Sequence, residues 1–172
     1  MNKLLETYID PQYVYRFTQG PDVVRSREDA LRDGINCISL AHLALRDLFD
    51  YELPAELFCL ELYYDREHFT EVGGLENMQA GDLVWLGLAS PTVEIEDFVP
   101  RYKNGRLTNW SESPVKHAAI FTGEKDQSSD HLLLHSTPYE GTNAVWPLKM
   151  FSRHKRYRKV YGITRLQISS DT

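Results

Sequence analysis

Apolar residues recur every three to four positions after the dipeptide Asp33-Gly34, and this period is typical of an amphipathic helix. The apolar positions are Cys37, Leu40, Ala41, Ala44, Leu45 and Leu48. Asp33-Gly34 indicates a turn, and Asn36 is a residue type whose side chain caps the first helical turn. The pattern therefore predicts a helix that begins after Asn36 and packs against the core, with Cys37 in its first turn.

The second half of the chain contains short apolar runs bounded by turn residues, and such runs are typical of strands. The expected strands are 83–86, 115–121, 132–135, 144–146 and 160–166. A short helix is expected from Pro147, a capped helical turn from Ser26, and a longer helix from Pro54 in which Cys59 is a core thiol. Helices followed by an antiparallel meander define an α+β fold.

The 172 residues are enough to bury one core, so a single domain over 1–172 is expected, with 1–30 as an N-terminal lead-in. Residues 88–113 are rich in turn-forming residues and predict a long irregular insertion. Long loops in compact domains are usually functional or mobile. Because this insertion directly precedes a predicted strand, we expect Trp110 or Tyr102 to border a binding cleft.

Charge and cysteine content narrow the class of protein. The net charge of −6 argues against general nucleic-acid binding, and no stretch has the length and apolarity of a signal peptide or membrane span. Two cysteines do not make a disulfide framework, so a reduced cytoplasmic protein is expected. The run 153–159 holds five Lys and Arg around Tyr157 and admits phosphate or nucleic-acid binding. A charge run is more commonly a solvated face, so nucleic acid is not the expected partner.

Two of the six histidines end neighbouring predicted strands. If 124–128 form the loop of a hairpin, Phe121 pairs with His131, and continuing that register places His117 directly opposite His135. Side chains alternate along a strand, so both histidines share one face of the sheet. We expect that face to meet the start of the predicted cysteine-bearing helix.

A cysteine in the first turn of a helix, beside an imidazole oriented by a second polar group, is an arrangement that activates a thiol nucleophile. The N–H groups and dipole of the helix favour the thiolate, so we expect the pKa of Cys37 to lie below the ordinary thiol value. His117 is then the base, and His135 fixes its tautomer and position. The alternative is structural: Cys37 is simply the first core residue of the helix, and each histidine is a solvated strand end.

Metal binding would be another use of these residues. His131 and His135 are four apart, which suits one face of a helix, but the run 132–134 is typical of a strand. Neither cysteine has a second cysteine at zinc-finger spacing. No metal and no cofactor are therefore expected.

Four motifs, in order, resemble those of the NlpC-type cysteine peptidases, papain-like enzymes that cut peptidoglycan stem peptides. The motifs are Asn36-Cys37-Ile38-Ser39-Leu40, Gly81-Asp82-Leu83-Val84-Trp85, His117 through Gly123, and Leu134-His135-Ser136. The resemblance spans roughly residues 30–140 and implies a papain-like fold with catalytic Cys37, His117 and His135. The family's upstream tyrosine motif corresponds to Tyr13-Val14-Tyr15, which implies a substrate contact at Tyr13.

The chain also departs from the family pattern. The family has Asp where this chain has Asn36, and small residues where it has Ile38 and Ser39. Ala119 replaces the Gly that follows the base, and its methyl group is expected to narrow the cleft. Typical members are exported and carry a wall-binding domain, and neither an export signal nor a wall-binding domain is expected here. Intact cell wall is therefore not the expected substrate.

Together the residues and the resemblance predict a thiol hydrolase that cleaves an amide bond of a small peptide, such as a recycled wall fragment. The backbone N–H of Cys37 is the expected oxyanion donor. Three alternatives stay open: a phage-type tail-assembly peptidase domain, a related thiol acyltransferase, and a catalytically silent binding module. The sequence does not indicate an oligomeric state.

Overall fold

An antiparallel sheet forms most of the C-terminal half of the computed structural model, which describes residues 2–57, 60–104 and 106–168. Six strands pair in the order β1-β8-β2-β5-β6-β7, and β3 and β4 form a separate two-stranded ribbon. The strands are β1 Phe69–Glu71, β2 Leu83–Gly87, β3 Tyr102–Lys103, β4 Arg106–Leu107, β5 Val115–Lys125, β6 His131–Thr137, β7 Thr142–Pro147 and β8 Lys159–Leu166.

Most of the helical residues precede the sheet, and together the two parts confirm the α+β class. The helices are α1 Lys3–Glu6, α2 Arg27–Asp33, α3 Cys37–Phe49, α4 Leu60–Tyr64 and α5 Leu148–Phe151, with a 3-10 turn at Leu75–Asn77. None of the helices in the described part of the chain is long and apolar enough to cross a membrane.

Both faces of the sheet are covered, and each has its own apolar cluster. On one face, α3 packs its buried residues against Ala118, Ile120 and Leu134. On the other face, Phe121 and Leu133 lie in a cluster with side chains from β7, α5 and the turn that follows α5. The alternation of side chains along β5 and β6 produces this division, because even positions face α3 and odd positions face away.

The start of α3 lies where the sequence pattern predicts it. Gly34 ends α2 with a φ of +96°, and a Cβ there would lie 2.8 Å from the carbonyl oxygen of Val14. Only glycine fits that turn without strain. Ile35 then pairs with Tyr15 in a short bridge, which anchors the chain just before the helix begins.

The β5–β6 register differs from the predicted one by two residues. Phe121 pairs with Leu133 rather than with His131, and His131 pairs with Lys125. Strand β5 continues past Gly123, where φ is +86°, and the ladder shifts register before the loop 126–130. The prediction that His117 lies directly opposite His135 is therefore wrong. Because the displacement is even, both residues still share one face of the sheet.

One other local prediction is wrong, one lies outside the described residues, and one strand was missed. Residues 54–57 form a turn rather than the start of a helix, and α4 begins at Leu60. The predicted core position of Cys59 lies outside the described residues. Strand β1 was not predicted, because its three residues alternate too briefly to give a sequence signal.

Candidate active site

The N-terminus of α3 presents Cys37 on a tightly capped first turn. Asn36 Oδ1 accepts hydrogen bonds from the N–H groups of Ile38 and Ser39, both at 2.9 Å. Ser39 Oγ accepts one from the Asn36 N–H at 3.0 Å, which completes a capping box. Asn36 Nδ2 also donates to the carbonyl oxygen of Phe17 at 3.1 Å, and an ionised aspartate could not make that bond. The residue that departs from the family pattern thus caps the helix and holds a second segment.

His117 and His135 form a buried imidazole pair. Nε2 of His117 lies 2.9 Å from Nδ1 of His135, a hydrogen-bond distance. The His135 ring lies edge-on to Trp146 and Phe151, with ring centroids 4.4 and 4.8 Å away. Tyr157 stacks on His117 with a centroid separation of 4.4 Å and an interplanar angle of 21°. Aromatic packing therefore fixes the orientation of both imidazoles.

The sulfur of Cys37 lies near the end of the β5–β6 ladder. Toward His117, the ladder between these strands ends at the pair Ile120 and Leu134. Ala118 lies beyond that end, and its backbone N–H interacts with the sulfur of Cys37. The expectation that the histidine face meets α3 is wrong, since α3 packs on the opposite face. The sulfur instead reaches the backbone of the residue next to His117 at the end of the ladder.

Burial controls the protonation of the thiol and the imidazole. Desolvation raises the pKa of the Cys37 thiol, and the N–H groups of Ala118, Cys37 and Ile38 only partly oppose that rise. Desolvation, with a smaller contribution from Arg156, lowers the pKa of His117 to about 3. The expectation of a resting thiolate is therefore wrong, because the cost of burying the charge exceeds the effect of the helix N-terminus. Both the Cys37 thiol and the His117 imidazole are therefore neutral near pH 7.

A cleft of about 510 Å³ opens beside these groups. Residues from the N-terminal segment, α3, α4, the insertion, β5 and the turn after α5 line it. They include Tyr15, Cys37, Glu61, Trp110, His117 and Arg156. The thiol and His117 thus line one concave surface, which is the usual form of a small-ligand site, while His135 lies buried behind His117.

The predicted substrate contacts divide into one that lines the cleft and one that does not. Trp110 lines the cleft and packs against Phe17, with ring centroids 5.6 Å apart. Tyr13 is only 3% exposed and packs against Tyr8 in the core. The prediction that Tyr13 contacts a substrate is therefore wrong, because Tyr13 does not line the cleft. Tyr15, two residues later, is only partly buried and lines the cleft.

The methyl group of Ala119 does not narrow the cleft. Ala119 is buried with Val84, Leu86 and Phe121 in the apolar cluster on the face away from α3. It fills the sheet face between β2 and β6 rather than the mouth of the site. The expectation that Ala119 narrows the cleft is therefore wrong.

The basic run 153–159 contributes to the site, and the sequence pattern did not predict this. Tyr157 is buried against His117, Arg156 lines the cleft, and His154 stacks on Trp146 with centroids 4.7 Å apart. A tyrosine within a run of charges was the available signal, because a buried aromatic residue forces part of the run to face the core. The run is therefore not a uniformly solvated face.

No group of three or more His, Cys, Asp or Glu side chains among the described residues is arranged to hold a metal ion. His131 belongs to a different environment from His135, because it packs edge-on to Phe121 with centroids 5.2 Å apart.

Comparison of the chain with protein-family models, curated proteins and solved structures gives no match. Any functional assignment therefore depends on the geometry of the cleft and on the motif resemblance.

Proposed function

We propose that this protein is a thiol hydrolase of papain-like architecture that cleaves an amide bond in a small peptide through Cys37, His117 and His135. The observation that carries the proposal is the placement of Cys37 at a capped helix start, in one cleft with a His117 ring that is hydrogen-bonded to His135. A nucleophile, a base and a residue that orients the base are the parts that such chemistry requires.

The first step is transfer of the thiol proton to the imidazole as the sulfur attacks. For Nδ1 of His117 to accept that proton, the ring's own proton must be on Nε2 and be donated to Nδ1 of His135. Since both reacting groups are neutral at rest, proton transfer accompanies formation of the carbon–sulfur bond. His117 thus acts as a general base rather than as one half of a resting ion pair.

The developing oxyanion needs donors that are already in place. Asn36 occupies the N–H groups of Ile38 and Ser39, so the N–H of Cys37 is the first-turn donor that a substrate oxygen can use. The imidazolium of His117 then protonates the leaving amine. In the second half of the reaction, His117 takes a proton from water as the water attacks the thioester, and it returns that proton to the sulfur of Cys37 as the thioester breaks. An amine acceptor in place of water would make the same site an acyltransferase.

The resemblance to the NlpC-type peptidases supports a peptide as the substrate. A recycled wall fragment in the cytoplasm remains our expected source of that peptide, and a phage-type tail-assembly peptidase remains the second candidate. The aromatic cluster that fixes the two histidines argues against a silent binding module, because a binding module does not require the base to be held in one orientation.

A direct test compares the wild type with Cys37→Ser, His117→Ala and Cys59→Ser on a pool of dipeptide amides that release a fluorescent amine. We expect Cys37→Ser and His117→Ala to lower turnover by about a thousandfold or more, because nucleophile and base act as one unit. Cys59→Ser is the control for a general loss of thiol, and it should keep turnover. Wild-type turnover in Cys37→Ser would overturn the proposal, whereas product formation only with an added amine acceptor would assign acyl transfer.

A further inference from the structure

The cleft contains a buried carboxylate, and one of its oxygens makes no hydrogen bond within the described part of the chain. Glu61, on α4, is 8% exposed and lines the cleft. Its Oε1 accepts the backbone N–H of Leu107, in the 88–113 insertion, at 2.8 Å. Its Oε2 is buried and has no hydrogen-bond partner among the residues that the structure describes. The single N–H bond fixes the plane of the carboxylate and leaves one oxygen unpaired.

An unpaired buried carboxylate oxygen is costly to a fold, because water solvates the charge far better than the protein interior does. Two cations, Lys116 and Arg156, also line the cleft. Neither is a hydrogen-bond partner of Oε2, which has none. The electrostatic influence of Arg156 extends instead to His117 and to Tyr15. A positively charged ligand that enters the cleft can therefore reach Glu61, which lines it.

We propose that Glu61 binds the ammonium group of the substrate and so selects peptides that carry a free amine. This inference deepens the proposed function and rests on it for the identity of the ligand as a peptide. An ammonium group is the matching chemistry, because it supplies both the charge and the N–H donor that Oε2 lacks. The amine can belong to the N-terminus of a peptide or to a lysine-like side chain, and both present the same alkylammonium ion.

The arrangement also gives the insertion a function in recognition. Leu107 is buried in the same apolar cluster as α3, and its N–H holds the Glu61 carboxylate in place. Trp85 lines the cleft beside Glu61, and its indole N–H is already bonded to Thr164 Oγ1 at 2.9 Å. That indole cannot serve as a partner for Glu61, so the carboxylate oxygen stays free for a ligand.

The test uses thiol reagents whose charge can be varied without any catalytic turnover. Cys37 is labelled with the neutral methyl methanethiosulfonate and with aminoethyl, aminobutyl and aminohexyl methanethiosulfonates, and peptide mapping separates its label from that of Cys59. We expect one cationic reagent to react faster than the neutral reagent in the wild type, because its ammonium group reaches Glu61. The chain length of the fastest reagent then gives the reach from the thiol to the carboxylate.

The decisive variant is Glu61→Gln, which keeps an oxygen acceptor for Leu107 but removes the charge. We expect it to lower the cationic-to-neutral rate ratio by about tenfold, as loss of a charge-assisted hydrogen bond implies. Glu67→Gln is the matched control, because Glu67 is exposed and lies outside the cleft, and it should leave the ratio unchanged. The thermal midpoint of Glu61→Gln should equal or exceed that of the wild type, since the variant removes a buried charge without a partner.

An unchanged rate ratio in Glu61→Gln would overturn the amine site, even if the wild type hydrolyses peptides. A reduced ratio in a protein that hydrolyses no peptide would support the amine site and reject the proposed reaction. If both hold, a comparison of free-amine with N-acetylated dipeptide amides, and of N-acetylated amides with and without a lysine side chain, identifies the source of the ammonium group.

Discussion

His117 and His135 are displaced by two residues along the β5–β6 ladder, yet their Nε2 and Nδ1 atoms lie 2.9 Å apart. In the observed register, the position opposite His135 is that of Ala119. Diagonal neighbours on one face of an antiparallel pair lie farther apart than direct partners but within reach of aromatic side chains. The two rings bridge that diagonal in a T-shaped arrangement, with an interplanar angle of 84°.

The first prediction concerns the residue that orients the base. His135→Asn should retain part of the turnover, because an amide oxygen can accept the Nε2–H of His117, whereas His135→Ala should lose most of it. His135 is fully buried between Trp146 and Phe151, so the alanine variant also leaves a cavity and should lose about 2–4 kcal/mol of stability. Turnover and the free energy of unfolding should be measured for both variants, and equal turnover in the two would contradict an orienting function.

The second prediction is a broad pH profile of kcat/KM. The pKa of His117 is about 3 and that of Cys37 lies above its ordinary value of 9.0, so the neutral pair is present across the whole neutral range. We expect kcat/KM to be nearly constant between about pH 5 and 8. An acid limb with a midpoint near 6.5 would contradict the neutral resting pair.

The third prediction is the effect of the same burial on stability. In the folded protein the pKa of His117 lies below its unfolded value of 6.5, and the pKa of His135 is lowered in the same direction by burial. The unfolded chain therefore binds more protons as the pH falls below 6.5, so stability is complete above 6.5 and declines toward pH 3. Denaturant unfolding at several pH values should show this decline, and a double variant with Asn at both positions should show a flatter curve.

The fourth prediction separates the two functions of Asn36. Asn36→Ala removes the helix cap and should cost about 1 kcal/mol of stability. Asn36→Asp preserves the cap at the Ile38 and Ser39 N–H groups but cannot donate to the Phe17 carbonyl. The aspartate variant should therefore unfold like the wild type but show a raised KM. A raised KM in the alanine variant alone would show that the bond to Phe17 does not shape the cleft.

The fifth prediction concerns the rim of the cleft. Trp110 is 39% exposed and packs against Phe17, which is 62% exposed, so neither ring is part of the core. Trp110→Ala should raise KM about tenfold or less and change the thermal midpoint little. Leu107→Ala is the contrasting control, because Leu107 is buried in the main apolar cluster and its loss should lower stability.

The sequence pattern was sufficient for the features that depend on local chemistry. The cap at Asn36, the start of α3 and the shared face of the two histidines follow from side-chain hydrogen bonding and from the period of two along a strand. The register itself did not follow, because the irregular pairing between Phe121 and Lys125 lengthens β5 without an obvious turn signal. The alternation of side chains along the two strands was enough to predict that the histidines meet on one face. The predicted register, which placed His117 directly opposite His135, was wrong.

Features that depend on tertiary burial were beyond the sequence pattern. The helix N-terminus favours a thiolate in isolation, but the surroundings of Cys37 reverse the direction of its pKa shift. Tyr13 and Tyr15 are equivalent as residue types, and only the folded structure shows that Tyr13 is buried in the core while Tyr15 lines the cleft. Glu61 gave no sequence signal, because an acidic residue on a short helix is normally exposed.

The strand order β1-β8-β2 has a consequence for the synthesis of the protein. Strand β8 is the last element in the described part of the chain, yet it lies between β1 and β2, which precede it by more than 70 residues. During translation these two strands have no common partner until the C-terminal segment leaves the ribosome, and the same segment brings Tyr157 onto His117. Cys37 therefore emerges long before the imidazole that would activate it is fixed in place. A nascent chain would carry an inert thiol, and the site would form only after β8 has emerged.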